Sequence, residues 1–243
     1  MSNNSNGFVM PTKKVTVLYF TDILCVWAYI AQTRINELKN KFGDCVVIQE
    51  HFISVFGSVE QKIEQSWGAK GGKPAYCKHI QEISSKFDHV EIHPDIWIKN
   101  TPTTSGSCHL FLKAIQILEF QNELPVVNKL TNPKQSIFEF VAWQLRLAFF
   151  KDLADISNYK IQIEIAKKLE LPIDKIQNVI DSGAAFAGLE RDLHLKEKYR
   201  LVGSPTLVLN EGRQLIFGNV GYRVIEANIQ ELLNHPENHA SWC

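Results

Sequence analysis

The spacing of apolar residues changes character several times along the chain. Val15 to Tyr19, with Phe20, form a β-rich run that predicts a strand. After Thr21-Asp22-Ile23-Leu24 the pattern becomes helical: Trp27, Ile30, Ala31, Ile35, Leu38 and Phe42 make one stripe, closed by Gly43. Cys45–Ile53 predicts a second strand. From about Gly57 to Tyr199 no convincing strand pattern remains. That stretch opens loop-rich, punctuated by Trp67-Gly68-Ala69-Lys70-Gly71-Gly72, and passes Pro94 and Pro102. Helical periods follow at His109–Phe120, Gln135–Phe150, Ser157–Glu170 and Ile173–Asp181, with a further helix from Ala184 to about Tyr199. Asn132-Pro133 and Pro172 sit where helices begin, a place proline tolerates because the first amides need no partner. Strands return at Thr206–Leu209 and Gln214–Phe217, a hairpin turning at Asn210-Glu211-Gly212-Arg213. Val224, Ile225, Ile229, Leu232 and Leu233 line one face of a last helix.

Without its middle the chain reads β-α-β, then β-β-α. The expected architecture is an α/β domain made of 13–57 and 197–235, a helical insertion over 58–196, and tails at 1–12 and 236–243.

Composition narrows the classes. The 243 residues carry 26 basic and 26 acidic side chains, a formal charge of zero, which disfavours a duplex nucleic-acid binder. With 45% hydrophobic and 21% charged residues, wholesale disorder is excluded. No apolar run approaches the roughly 18–20 residues that cross a bilayer, so no membrane partner is expected. The five cysteines, Cys25, Cys45, Cys77, Cys108 and Cys243, are too sparse for a stapled secreted scaffold. Met1 to Lys14 is Asn- and Ser-rich without an apolar core, so a cytoplasmic, reducing setting is the expectation. There a lone cysteine is either filler or a reactive thiol.

Cys25 heads the first helix. A thiol there faces free backbone amides and the positive end of the helix dipole, both of which favour thiolate and nucleophilicity; buried filler is the alternative. Val202-Gly203-Ser204-Pro205-Thr206 opens a later strand, where proline is ordinarily trans.

Taken together, Asp22-x-x-Cys25-x-Trp27 at a strand–helix junction, Gly203-Ser204-Pro205-Thr206 opening a strand, the helical insertion and the closing hairpin and helix resemble the DsbA family of thioredoxin-fold proteins over about Lys13 to Leu233. The likeness is to the cytoplasmic branch with FrnE-like proteins, 2-hydroxychromene-2-carboxylate isomerases and kappa-class glutathione transferases. Asn100-Thr101-Pro102-Thr103-Thr104 is similar to that branch's cleft-lining element, bringing in Thr104. The resemblance implies that Cys25 is the nucleophile and that Pro205 is cis. It also implies that the Ser204 backbone holds a peptide or glutathione as an added strand, with Trp27, Ala28 and Gly203 beside it.

The sequence departs from the pattern in three places. Cys25-Val26-Trp27-Ala28 has Ala28 where the redox members carry a second cysteine. The isomerase and kappa branches hold serine where Cys25 stands. Gly218-Asn219-Val220-Gly221-Tyr222-Arg223 lacks the acid of their Gly-x-Asp-Arg-like element, although Arg223 remains to meet a carboxylate. A monothiol cycle then needs glutathione as co-substrate or another thiol of the chain: Cys243 on Ala240-Ser241-Trp242-Cys243, or Cys108. Cys45 reads as core. His109 is a candidate to line the cleft and move a proton for Cys25. Cys77, His79, His89 and His93 lack a zinc-site spacing, so no metal is expected. Trp67 and Trp97 read as packing anchors beside the cleft.

Three functions fit: a DsbA-like thiol-disulfide oxidoreductase working through Cys25, on a disulfide substrate or glutathione; a glutathione-dependent isomerase or transferase of a small aromatic or electrophilic molecule; and a non-catalytic binding or redox-sensing module. A homodimer through the apolar insertion is a further expectation.

Overall fold

The structure, a computed structural model, describes residues 14–125 and 135–235. Four strands, β1 (Val15–Thr21), β2 (Val46–Phe52), β3 (Thr206–Leu209) and β4 (Gln214–Phe217), form one sheet in the order β2-β1-β3-β4. β1 pairs parallel with β2, from Val15 opposite Val46 to Thr21 opposite Phe52; β3 is antiparallel to both β1 and β4. The parallel pair needs a crossover, and α1 (Val26–Phe42) supplies it.

Alternation along β1 explains the layering. Val15, Val17 and Tyr19 join Leu207 and Leu209 of β3 against Ile35 and Leu38 of α1, with Ile225 and Ile229 of the last helix. Leu18 and Phe20 face the other way, toward Val208, Leu195, Tyr199 and Leu201. Period-two burial on both faces marks a sheet covered on both sides.

The insertion holds α2 (Val59–Trp67), α3 (Gly72–Ser84), α4 (Gly106–Phe120), α5 (Ile137–Phe150), α6 (Tyr159–Lys168), α7 (Ile173–Asp181) and α8 (Ala184–Lys198); α9 (Tyr222–Asn234) closes the fold. Four of these start on recognisable signals. Ser58 accepts from the Gln61 amide at α2, Asn158 from the Lys160 amide at α6, and Ser136 with Glu139 forms a reciprocal capping box at α5. Pro172 caps α7; Asn132-Pro133 lies outside the described residues.

Two sequence expectations are corrected. The glycine-punctuated stretch is helical, because its glycines join two helices instead of dissolving them. A 3-10 turn at Gly68–Lys70 ends α2, and Gly71 and Gly72, at φ 106° and 62°, redirect the chain into α3. Pro74 then falls in the first turn of α3, where its missing amide costs nothing. Cys45 is not a core strand residue: it ends a 3-10 turn, Gly43–Cys45, and is half-buried. The hairpin turn is tight, with Asn210, Glu211 and Gly212 all at positive φ. Among the described residues no helix is long and apolar enough to cross a membrane.

Candidate active site around Cys25

β1 delivers Thr21 and Asp22 to the C-terminal edge of the sheet, and the turn Asp22–Cys25 is closed by the Cys25 amide donating to the Asp22 carbonyl at 3.1 Å. Cys25 is therefore the N-cap of α1, in extended conformation at φ −79° and ψ 116°. Its thiol donates to the Ser204 carbonyl at 3.2 Å. The Ser204–Pro205 bond is cis, as the resemblance implies. Beside it, a Cβ on Gly203 would stand 2.9 Å from the exposed Phe217 ring, so a side chain there fits only if that ring shifts.

Behind the thiol lies a buried polar cluster. The Asp22 carboxylate accepts from the Leu24 amide at 2.8 Å, the Phe56 amide at 2.8 Å and the Ser105 hydroxyl at 2.9 Å. Its own amide donates to the Ser204 hydroxyl at 2.8 Å. One aspartate thus links the Cys25 turn, the segment after β2, the start of α4 and the residue before Pro205. Such satisfaction is what allows a charge to stay buried. His109 completes the cluster: Nε2 accepts from the Ile23 amide at 3.1 Å and stands 3.8 Å from Asp22 Oδ1, and the ring stacks on Phe52.

The electrostatics depart from the sequence expectation. Cys25 is only 6% exposed, and burial pushes its thiol up from the ordinary value. The hydrogen bond from Ser204 and the amides of Ala28 and Trp27 pull it down, while the Asp22 charge raises it further. The helix-start donors are present as expected, but desolvation outweighs them, so the resting group is a thiol and not a free thiolate. Burial likewise lowers His109, which favours the neutral ring. With Nε2 accepting from Ile23, the proton of that ring is on Nδ1, which has no partner. His109 braces the Cys25 turn instead of bonding to the sulfur.

The other candidates fall in different places. Ala28 is fully buried in the first turn of α1, and Trp27 is partly buried against the same core. Thr104 accepts from the Gly106 amide at 2.9 Å and braces the start of α4, next to Ser105. Arg223 is exposed on the first turn of α9, whose apolar face packs on the opposite core. Cys108 is fully buried and bonded to the Ile156 carbonyl at 2.8 Å, with its thiol raised by burial, and it makes no contact with Cys25. Cys243 lies outside the described residues. Trp97 is completely buried, against Phe56, Tyr76 and Phe149.

Sequence reasoning quoted Asp22 as part of a motif but gave it no task, and it missed Ser105 and Tyr76. Tyr76, on α3, stacks on Phe56, and burial, with Cys25 and Asp22 nearby, raises its hydroxyl. Only a recognised α3 would have pointed to it. A cavity of about 550 Å³ opens between the end of β2, α4 and α8, lined by Phe52, Ser54, Ser107, Leu110 and Phe186; Cys25 is not on its wall.

No protein-family model matches the chain, and no curated protein matches it. Solved structures do. A probable DsbA oxidoreductase from Streptomyces coelicolor aligns with 91% of this chain and 91% of its own, at TM-score 0.68 and 13% identity. A putative protein disulfide isomerase from Nitrosomonas europaea aligns with 94% of this chain and all of its own, at 0.65 and 14%. The cytosolic disulfide reductase DsbM from Pseudomonas aeruginosa, also solved with GSH, aligns with 88% of this chain and 98% of its own, at 0.58 and 14%. The chain therefore has the thioredoxin fold with the helical insertion of the DsbA-like proteins.

Proposed function

We propose that the protein is a thiol-disulfide oxidoreductase that works through Cys25 as a single nucleophile, with glutathione closing the cycle. The observation that carries this reading is the Cys25 thiol at the N-cap of α1, 3.2 Å from the Ser204 carbonyl beside cis-Pro205. Ala28, fully buried, occupies the position of a second thiol.

An incoming extended disulfide competes for the Ser204 backbone and releases the thiol from it. Loss of the proton to solvent leaves a thiolate that the Ser204 hydroxyl and the Trp27 and Ala28 amides stabilise. The sulfur attacks one sulfur of the disulfide; a Cys25 mixed disulfide forms, and the other half leaves as a thiolate that takes up a proton. With Ala28 in place of a resolving thiol, a glutathione thiolate displaces the bound half when that half is itself glutathione, giving glutathione disulfide and regenerated Cys25. The likeness to a cytosolic disulfide reductase solved with GSH supports this choice of co-substrate.

The test is glutathione-coupled reduction of a mixed-disulfide substrate by wild type and Cys25→Ser. Loss of turnover in the variant is expected; equal rates refute the reading.

A further inference from the structure

A second cavity lies along the free edge of β2, walled by α4, the start of α5 and α8, with a volume of about 1060 Å³. That is just above the usual range for small-molecule sites, which are mostly apolar with a few polar groups. Ile48, Ile117, Phe120, Phe138 and Leu195 supply the apolar wall, and Cys25, Ser204 and Pro205 take no part in it.

Most of the charges around this cavity are already matched. Lys39 pairs with Glu139. Lys113 bonds Asp192 at 2.6 Å and Gln116 at 2.7 Å, and His51 bonds the same aspartate at 2.7 Å. Glu119 accepts from the Ile137 and Phe138 amides at the start of α5. Arg146, behind the strand, gives its terminal nitrogens to Gln32 and Thr21. Two side chains stay unmatched among the described residues: Arg191, which is exposed to water, and Glu50. Glu50 is 6% exposed, lines the cavity, and its carboxyl has no hydrogen bond or ion pair among the described residues. Burial pushes that carboxyl up from its ordinary value, against the pull of Arg146, Lys39 and Lys113. A carboxyl so far withdrawn from water gains from a donor, and the cavity it lines is the side from which one can approach.

We infer that this cavity binds a small molecule with an apolar body and a primary ammonium group, the ammonium donating to Glu50 and the body lying on Ile48, Ile117 and Phe138. The ligand's three N–H donors supply what the carboxyl lacks, and a carboxylate-bearing analogue is repelled by it. The inference is independent of Cys25 chemistry.

The experiment titrates 2-phenylethylamine into the full-length protein at neutral pH, observed by amide chemical shifts, with phenylacetate as the control. Binding is expected with shifts confined to β2, α4, α5 and α8, at least about tenfold weaker in Glu50→Gln. It is unchanged when Cys25 is alkylated. Ala187→Phe, at an exposed position on the cavity wall, fills the space without touching a buried charge, and it weakens binding even if Glu50→Gln misfolds. The inference is overturned by no shifts at millimolar amine, by phenylacetate binding as well as the amine, or by binding that survives Ala187→Phe. Loss of binding on Cys25 alkylation overturns it too, because that places the amine at the thiol.

Discussion

The amide of Asp22 donates to the hydroxyl of Ser204 at 2.8 Å, across 182 positions of sequence. This bond joins the two halves of the thioredoxin core at the point where Cys25 and cis-Pro205 meet. It also fixes one use of the Ser204 hydroxyl: its oxygen accepts from Asp22, which leaves its proton available to a neighbour such as the sulfur. The Asp22 carboxylate adds the insertion to the same joint through Phe56 and Ser105.

Replacing that carboxylate is expected to be costly. Asp22→Ala leaves the Leu24 and Phe56 amides and the Ser105 hydroxyl without their acceptor in a buried site. The expected loss is about 2–4 kcal/mol of unfolding free energy, read from urea denaturation midpoints. A variant as stable as wild type contradicts the bracing role.

The pH dependence follows from the raised Cys25 thiol. Alkylation by iodoacetamide keeps accelerating as pH rises past the ordinary thiol value of about 8.5. A rate plateau below about pH 8 marks a depressed thiol and contradicts the burial argument. A raised folded-state value also means that the contribution of the neutral thiol to stability is intact below the unfolded value. It fades as pH climbs through the folded one. Asp22→Asn removes a negative neighbour, so its alkylation profile shifts toward lower pH.

Ala28→Cys restores the dithiol that the sequence lacks. The added sulfur enters a fully buried position, which costs about 1–3 kcal/mol if the surroundings cannot shift. Insulin reduction is nonetheless expected to speed up, because internal attack then releases the substrate. No gain from a folded variant means that Cys25 is not positioned for exchange.

Much of this fold was legible because alternating and helical apolar spacings are local signals. β1, β3, β4 and α7 fall where the pattern places them. The failures were local: α2 and α3 were hidden because glycines at 68, 71 and 72 signal loops, whereas here they form the joint between two helices, and Cys45 falls in a turn just before β2. The site was legible in part. Cys25 and Pro205 carry their own motif, and the cis bond agrees with what that motif implies. The state of the Cys25 thiol was not readable, since the helix-start donors are encoded locally but the burial that outweighs them comes from packing across the whole chain. Likewise nothing near Ser105, Tyr76 or Glu50 in sequence announces a partner, because each meets its neighbours only after the insertion has folded onto the core.

The central claim is that Cys25 forms the covalent intermediate and glutathione releases it. Intact-mass and peptide mass spectrometry of the protein after a brief exposure to glutathione disulfide tests this most directly. The account predicts one glutathione adduct, on Cys25, absent from Cys25→Ser and removed by excess reduced glutathione. An adduct on another cysteine with Cys25 unmodified, or a Cys25–Cys243 disulfide in place of the adduct, contradicts it.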